Sequence, residues 1–154
     1  MKIKFESPVI FVKDIEVSRK FYEEYLDQEV EHDFGNNIMF RSKLSLWKIM
    51  EEHEIADIAG DNRKGNSMEL YFETEDIIES FEKIKHSGSD FLHGIKTEPW
   101  GQKTFRFFDP DRHLIEVGES LGTFIGRIYK KTGSVEETSE KTGVPVSTVG
   151  ELIK

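Results

Sequence analysis

Short apolar runs rich in β-branched residues alternate with amphipathic stretches along this chain, and they do so twice in the same order. Ser7–Val12 reads SPVIFV and predicts a buried strand. Asp14 follows as a helix N-cap. Val17, Phe21 and Tyr25 then recur at i, i+4 and i+8, with Tyr22 and Leu26 alongside, predicting a helix with one apolar stripe. Glu29–Asp33, Asn37–Arg41 and Leu44–Ile49 predict three strands, punctuated by Gly35-Asn36 and Ser42-Lys43. The polar run Glu51–Asn66 reads as a surface linker.

The order then repeats. Met68–Glu73 predicts a strand. Asp76 caps a helix with Ile77, Phe81 and Ile84 on one face, Ile78 beside them and Gly88 as its stop. Strands are expected near Asp90–His93, Lys103–Phe108 and Leu114–Gly118, the last two joined by Asp109-Pro110-Asp111-Arg112. The helix starts match in letters: Asp14-Ile15 with Ser18, and Asp76-Ile77 with Ser80, 62 positions later. One four-stranded unit with one helix covers a single sheet face. The expected fold is therefore α+β, with tandem βαβββ modules forming a curved eight-stranded mixed sheet around a concave pocket.

Beyond Ser120 the composition turns helical. Leu121–Lys131 reads as a helix, Ser134 opens a second with a capping-box start, Gly143 ends it, and Pro145–Ile153 begins a third. The outline resembles a helix-turn-helix. Ser147, Thr148, Gly150 and Glu151 stand where Arg, Lys, Asn or Gln would read bases, so a helical extension packing on the domain or a partner is expected. The domain is placed at residues 1–119, with modules at about 1–50 and 67–119, and the extension at 120–154.

The 154 residues are 36% hydrophobic and 33% charged, which suits a globular chain with its own core. A net charge of −9 opposes nucleic-acid binding and favours cationic ligands. With no Cys there is no disulfide, thiolate metal site or Cys nucleophile. The N-terminal apolar run is too short for a secretory signal, and no stretch is long enough to span a bilayer. A cytoplasmic chain without membrane or nucleic-acid partners is expected.

Two segments carry a family resemblance. VIFVKDIEVSRKFYEEYL resembles the opening strand and helix of vicinal oxygen chelate domains, the superfamily of glyoxalases, bleomycin resistance proteins and dioxygenases. PWGQKTFRFFDPDRHLIEVGES resembles their closing hairpin. The resemblance covers about residues 5–119 and implies a metal site with ligands on the first and last strand of each half. Those positions fall on Ser7, Trp47, Glu69 and Glu116, so two carboxylates survive and two ligands are lost. Two carboxylates suit a loosely held Mg²⁺ or Mn²⁺, whereas zinc or iron would want imidazole. His113 falls out of phase with Glu116. His53 lies in the linker, and His32, His86 and His93 are placed at element ends or on solvent faces. The family pattern has Gly at the turn position held here by Arg112. If the backbone there keeps a positive φ, Arg costs about 1 kcal/mol over Gly.

With the inward phase that the resemblance implies, strand alternation extends the expected pocket face to Ser7, Val9 and Phe11, then Met39, Ser45 and Trp47, then Glu69 and Tyr71, then Gln102, Thr104 and Arg106, then Leu114 and Glu116. Phe105 and Phe107 turn under the helix. Trp100 reads as a lid or a core plug. Arg106 either contacts a ligand or pairs with Glu116 or Glu69 to neutralise buried charge. The leading functional expectation is a small-molecule-binding protein without a complete metal site, working as a homodimer and without cofactor. Its ligand groove resembles the acidic, aromatic one that holds cationic aromatics in the bleomycin-resistance branch. The alternatives are a metal-dependent lyase, isomerase or dioxygenase using Glu69 and Glu116, one of those carboxylates as a metal-free general base, and a regulatory or interaction module docking through its helical tail.

Overall fold

The computed structural model describes residues 5–53, 55–56 and 68–154. Most of the polar stretch expected as a linker lies outside these. The chain divides into two compact units, residues 1–67 with 109–113, and residues 68–108 with 114–154.

The first unit runs β1 (Val9–Phe11), α1 (Ile15–Leu26), β2 (Val30–Asp33), β3 (Asn37–Phe40) and β4 (Ser45–Trp47). Its sheet order is β1-β4-β3-β2, with β1 parallel to β4 and the other pairs antiparallel. Alternation buries Ile10, Val12, Ile38, Phe40, Leu44 and Leu46. Tyr22 of α1 lays its ring 5.8 Å from that of Phe40, so this sheet face is the one α1 covers. Asp14 caps α1 as expected, its Oδ1 accepting from the amides of Glu16 and Val17 at 3.0 Å each.

The buried stripe of α1 differs from the expected one. Val17 is exposed, and the buried residues are Ile15, Ser18, Phe21, Tyr22 and Leu26. Polar anchoring turns the helix onto this face. Ser18 Oγ donates to Asp111 Oδ2 at 2.9 Å, and Tyr22 donates its hydroxyl to Asp109 Oδ2 at 2.9 Å. The 109–113 turn thus belongs to this unit, where Asp111 Oδ1 also accepts from the amide of Lys13. Arg112 in that turn has φ 70, the left-handed conformation for which glycine is preferred.

The second unit repeats the order with β5 (Leu70–Thr74), α2 (Ile77–Lys85), β6 (Phe91–Thr97), β7 (Lys103–Phe108) and β8 (Leu114–Glu119). Its sheet order β5-β8-β7-β6 is the counterpart of the first, with β5 parallel to β8. The duplication expected from the sequence is therefore present as two four-stranded mixed sheets. Phe105, Phe107, Ile115 and Val117 are buried, and Phe81 of α2 meets Phe91 and Phe105 edge-on at 5.1 and 5.2 Å. Ile78, expected beside the buried face, is exposed.

The tail forms α3 (Leu121–Thr132), α4 (Val135–Thr142) and α5 (Val146–Leu152). Phe124, Ile125 and Val149 make a small core of their own, flanked by Ile128, Val135, Val144 and Ile153. Ser134 caps α4 by accepting from Glu137 N, and Gly133 and Gly143 end α3 and α4 with positive φ. Among the described residues no helix is long and apolar enough to cross a membrane.

Candidate functional site

In the second unit the register lines up Tyr71, Glu116, Arg106 and His93 across all four strands. Because Phe105 and Phe107 face α2, this row lies on the opposite face of the sheet. Arg106 is its centre. Its Nε donates to Glu69 Oε2 at 2.8 Å and its Nη2 to Glu69 Oε1 at 3.5 Å. Nη1 donates to Glu98 Oε1 at 2.9 Å and lies 3.4 Å from His93 Nε2. Nη2 also forms an ion pair with the buried Glu116 Oε2, an oxygen with no hydrogen bond of ordinary geometry. A guanidinium has five N–H donors, and each of these has an acceptor beside it.

The surroundings hold these charges in place. Glu98 also accepts from Thr104 Oγ1 at 2.8 Å and lies 3.3 Å from Lys96 Nζ. Burial pushes the Glu98 carboxyl up, but hydrogen bonds from Arg106, Thr104 and Lys96 outweigh it and hold the group below its ordinary range. Burial likewise opposes the charge on Arg106, and the bonds to Glu69 and Glu98 overcome it, so its affinity for the proton is raised. His93 Nδ1 faces the carbonyl of Gly94 at 2.8 Å, which assigns the proton to Nδ1 and leaves Nε2 as an acceptor for Arg106.

An aromatic arm adjoins this cluster. Tyr71 and Trp100 are both half-exposed and share one carboxamide. Trp100 Nε1 donates to Gln102 Oε1 at 3.0 Å, while Gln102 Nε2 donates to the Tyr71 hydroxyl at 3.0 Å and the Glu119 carbonyl at 2.7 Å. The Tyr71 hydroxyl donates on to Glu73 at 3.3 Å. Gly118 makes the crossing possible. A Cβ there would come within 3.0 Å of both the Tyr71 hydroxyl and Gln102 Nε2. Burial, and the charge of Glu73 after it, raise the Tyr71 phenol against the lowering effect of Gln102.

The structure thus gathers Glu69, Tyr71, Gln102, Thr104, Arg106 and Glu116 in one unit, with Trp100 on the loop beside them. Trp100 is no core plug, being 44% exposed. Ser7, Phe11, Met39 and Trp47 belong to the first unit. There Phe11 and Trp47 are paired in register with rings 6.1 Å apart, Met39 pairs with Ser45, and Ser7 precedes β1. Trp47 also meets His53 edge-on at 5.3 Å.

Two members of the cluster escape sequence reasoning. His93, expected at an element end or on a solvent face, sits beside Arg106 because β6 is bulged: Phe91 pairs with Phe107 but His93 with Arg106, so the two lie on opposite faces. Glu98 follows a strand expected to end at His93 that runs on to Thr97. Carrying β6 to that length would have set Glu98 opposite Gln102, whose carbonyl accepts from the Glu98 amide at 2.8 Å.

A model of the glyoxalase-like domain matches residues 5–122. The chain belongs to this glyoxalase-like family. Its fold is similar to that of a protein of unknown function from Agrobacterium tumefaciens str. C58, at TM-score 0.68 and 33% identity over 79% of this chain and 97% of the other. A glyoxalase-related enzyme from Fulvimarina pelagi matches at TM-score 0.61 and 19% identity, covering 76% and 88% of the two chains. A glyoxalase/bleomycin resistance protein/dioxygenase from Nocardioides matches at 0.60 and 17%, covering 77% and 85%. The last two share the fold alone with this chain. A comparison with curated proteins gave no match.

The glyoxalase-like resemblance implies a divalent metal between the strands, and the donor set here does not fit one. Glu69 and Glu116, the two carboxylates at implied ligand positions, are both engaged by Arg106, whose positive charge would oppose a second cation at the same oxygens. Among the described residues no group of three or more His, Cys, Asp or Glu is placed to hold a metal ion.

Proposed function

We propose that this glyoxalase-like chain binds a small organic molecule carrying aromatic surface and positive charge, and that it does so without a resident metal. One observation carries the reading: the Arg106 guanidinium stands between Glu69 and Glu116, compensating the carboxylates that a metal would otherwise need. Arg106 is answered by Glu69, Glu98 and Glu116, so with Lys96 included the cluster keeps a formal excess of one negative charge. Half-exposed Tyr71 and Trp100 supply ring faces beside it, and a cation over such a face gains about 0.5–2 kcal/mol. Both Glu69 and Glu116 are already ion-paired, so neither is presented as a bare general base. The binding role is thus favoured over the lyase, isomerase and dioxygenase alternatives.

The test has two arms. Protein purified without chelator is assayed for bound metal and its melting followed with added Mn²⁺, Ni²⁺ and Zn²⁺. The expected results are substoichiometric metal and no stabilisation. Stoichiometric metal that is lost in Glu116→Ala would overturn the reading. In the second arm phenyltrimethylammonium is compared with neutral tert-butylbenzene by calorimetry, and the cation is expected to bind more tightly. Equal binding of both, or of neither, counts against a cationic aromatic ligand.

A further inference from the structure

We infer that Arg127, in a helix that continues past the end of the glyoxalase-like match at residue 122, is a positioning residue for the candidate site. Through it the C-terminal helices set the geometry of the loop that carries Glu98, Trp100 and Gln102.

The connection is a chain of short bonds within the second unit. Arg127 Nε donates to Glu119 Oε1 at 2.8 Å, and Nη2 donates to Glu119 Oε2 at 2.6 Å and to the Gly101 carbonyl at 2.7 Å. Glu119 is the last residue of β8 and is buried; its Oε2 also accepts from the amide of Lys103 at 2.9 Å. Burial raises its carboxyl, but the bonds from Arg127 and Lys103 prevail and hold it below the ordinary range. One guanidinium thus fastens α3 at once to the end of β8 and to the loop before β7. The loop is shaped to receive it. Gly101 has φ 100, and a Cβ there would lie 3.4 Å from the Phe124 ring of α3. Gly101 N donates to the Glu98 carbonyl at 2.8 Å, closing the turn that presents Glu98 to Arg106. Gln102, on the other side of Gly101, holds Trp100 and Tyr71.

A fork is required for this task. The guanidinium reaches a carboxylate and a carbonyl in a fixed plane, whereas a lysine ammonium is a point charge that cannot hold both with the same geometry. Arg127→Lys therefore keeps a cation beside buried Glu119 and frees the Gly101 carbonyl. The brace is a property of the folded chain; that it sets ligand affinity rests on the binding role proposed above.

The experiment uses the full chain labelled with 5-fluorotryptophan and with ¹⁵N. Trp47 and Trp100 give two fluorine resonances, assigned with Trp100→Phe. In Arg127→Lys the Trp100 resonance and the Arg106 Nε–H cross-peak are expected to shift or broaden while Trp47 stays in place. Arg127→Gln moves the same signals further. Phenyltrimethylammonium affinity falls by roughly fivefold in Arg127→Lys, a coupling of ordinary size. Unchanged Trp100 and Arg106 signals in folded Arg127→Lys overturn the inference. Equal displacement of the Trp47 resonance also overturns it, because that reports general loosening. If the cation fails to bind the wild-type chain while Trp100 responds to Arg127→Lys, the binding role falls and the brace stands. If the cation binds both proteins alike and Trp100 is unmoved, the brace falls and the binding role stands.

Discussion

Arg106 shows how much one side chain can decide at a site. Its five donors meet Glu69, Glu98, Glu116 and His93, and two of the three carboxylates are buried. Removing the cation strands those two charges in a poorly solvated place. Arg106→Met is therefore expected to destabilise the fold by about 3–5 kcal/mol in urea denaturation. A Met variant as stable as wild type would show that the carboxylates find other partners. Arg112 is the opposite case, a residue with a backbone cost. At φ 70 it occupies a conformation that glycine adopts freely, so Arg112→Gly should raise stability by up to about 1 kcal/mol. Calorimetric melting of the pair is enough to check the sign.

At the scale of elements, the caps and turns follow directly from local letters. Asp14 and Asp76 each accept from two amides of the helix they open, and both were legible as N-caps. The face that α1 buries was not legible, because its orientation is set by Asp109 and Asp111, more than eighty residues away in the chain. Tyr22 records the same burial. Its hydroxyl is held far above the ordinary phenol range, first by burial and then by Asp109. The turn works as a two-carboxylate clip, with Asp109 also accepting from Asp111 N and His113 N. Asp111→Ala leaves the Ser18 hydroxyl and the Lys13 amide without this acceptor and is expected to cost about 1–3 kcal/mol. Chemical denaturation of Asp111→Ala beside Ser18→Ala separates the contributions: the double variant is expected to lose less than the two single losses together.

For the whole molecule, the buried carboxylates Glu98 and Glu119 contribute to the response to acid. Both are held below their ordinary range in the folded chain. A carboxyl with a lowered folded value binds fewer protons folded than unfolded. Its stabilisation is complete above the unfolded carboxyl range and is lost as the pH falls through the lowered folded value. The chain should therefore lose stability steadily from about pH 5 downward. Glu98→Gln should be less stable at neutral pH and show a flatter acid limb, read from urea midpoints across that range. An unchanged slope would remove Glu98 from the account.

The sequence by itself determined the element order, the duplication, the caps and the phase of the regular strands. These depend on near neighbours and on periods of 2 and 3.6 residues, which the letters carry. Alternation also paired Glu69 with Tyr71 and Thr104 with Arg106 within their strands, and the phase implied by the family resemblance set both pairs and Glu116 on one face. Tertiary structure decided what alternation cannot reach. The β6 bulge turned His93 toward Arg106, the longer strand brought Glu98 into the same cluster, and α3 placed Arg127 on the loop beside them. A bulge shifts the strand phase by one residue, and a long-range ion pair has no period at all. Both are fixed only when the sheet closes and buried charges must find partners.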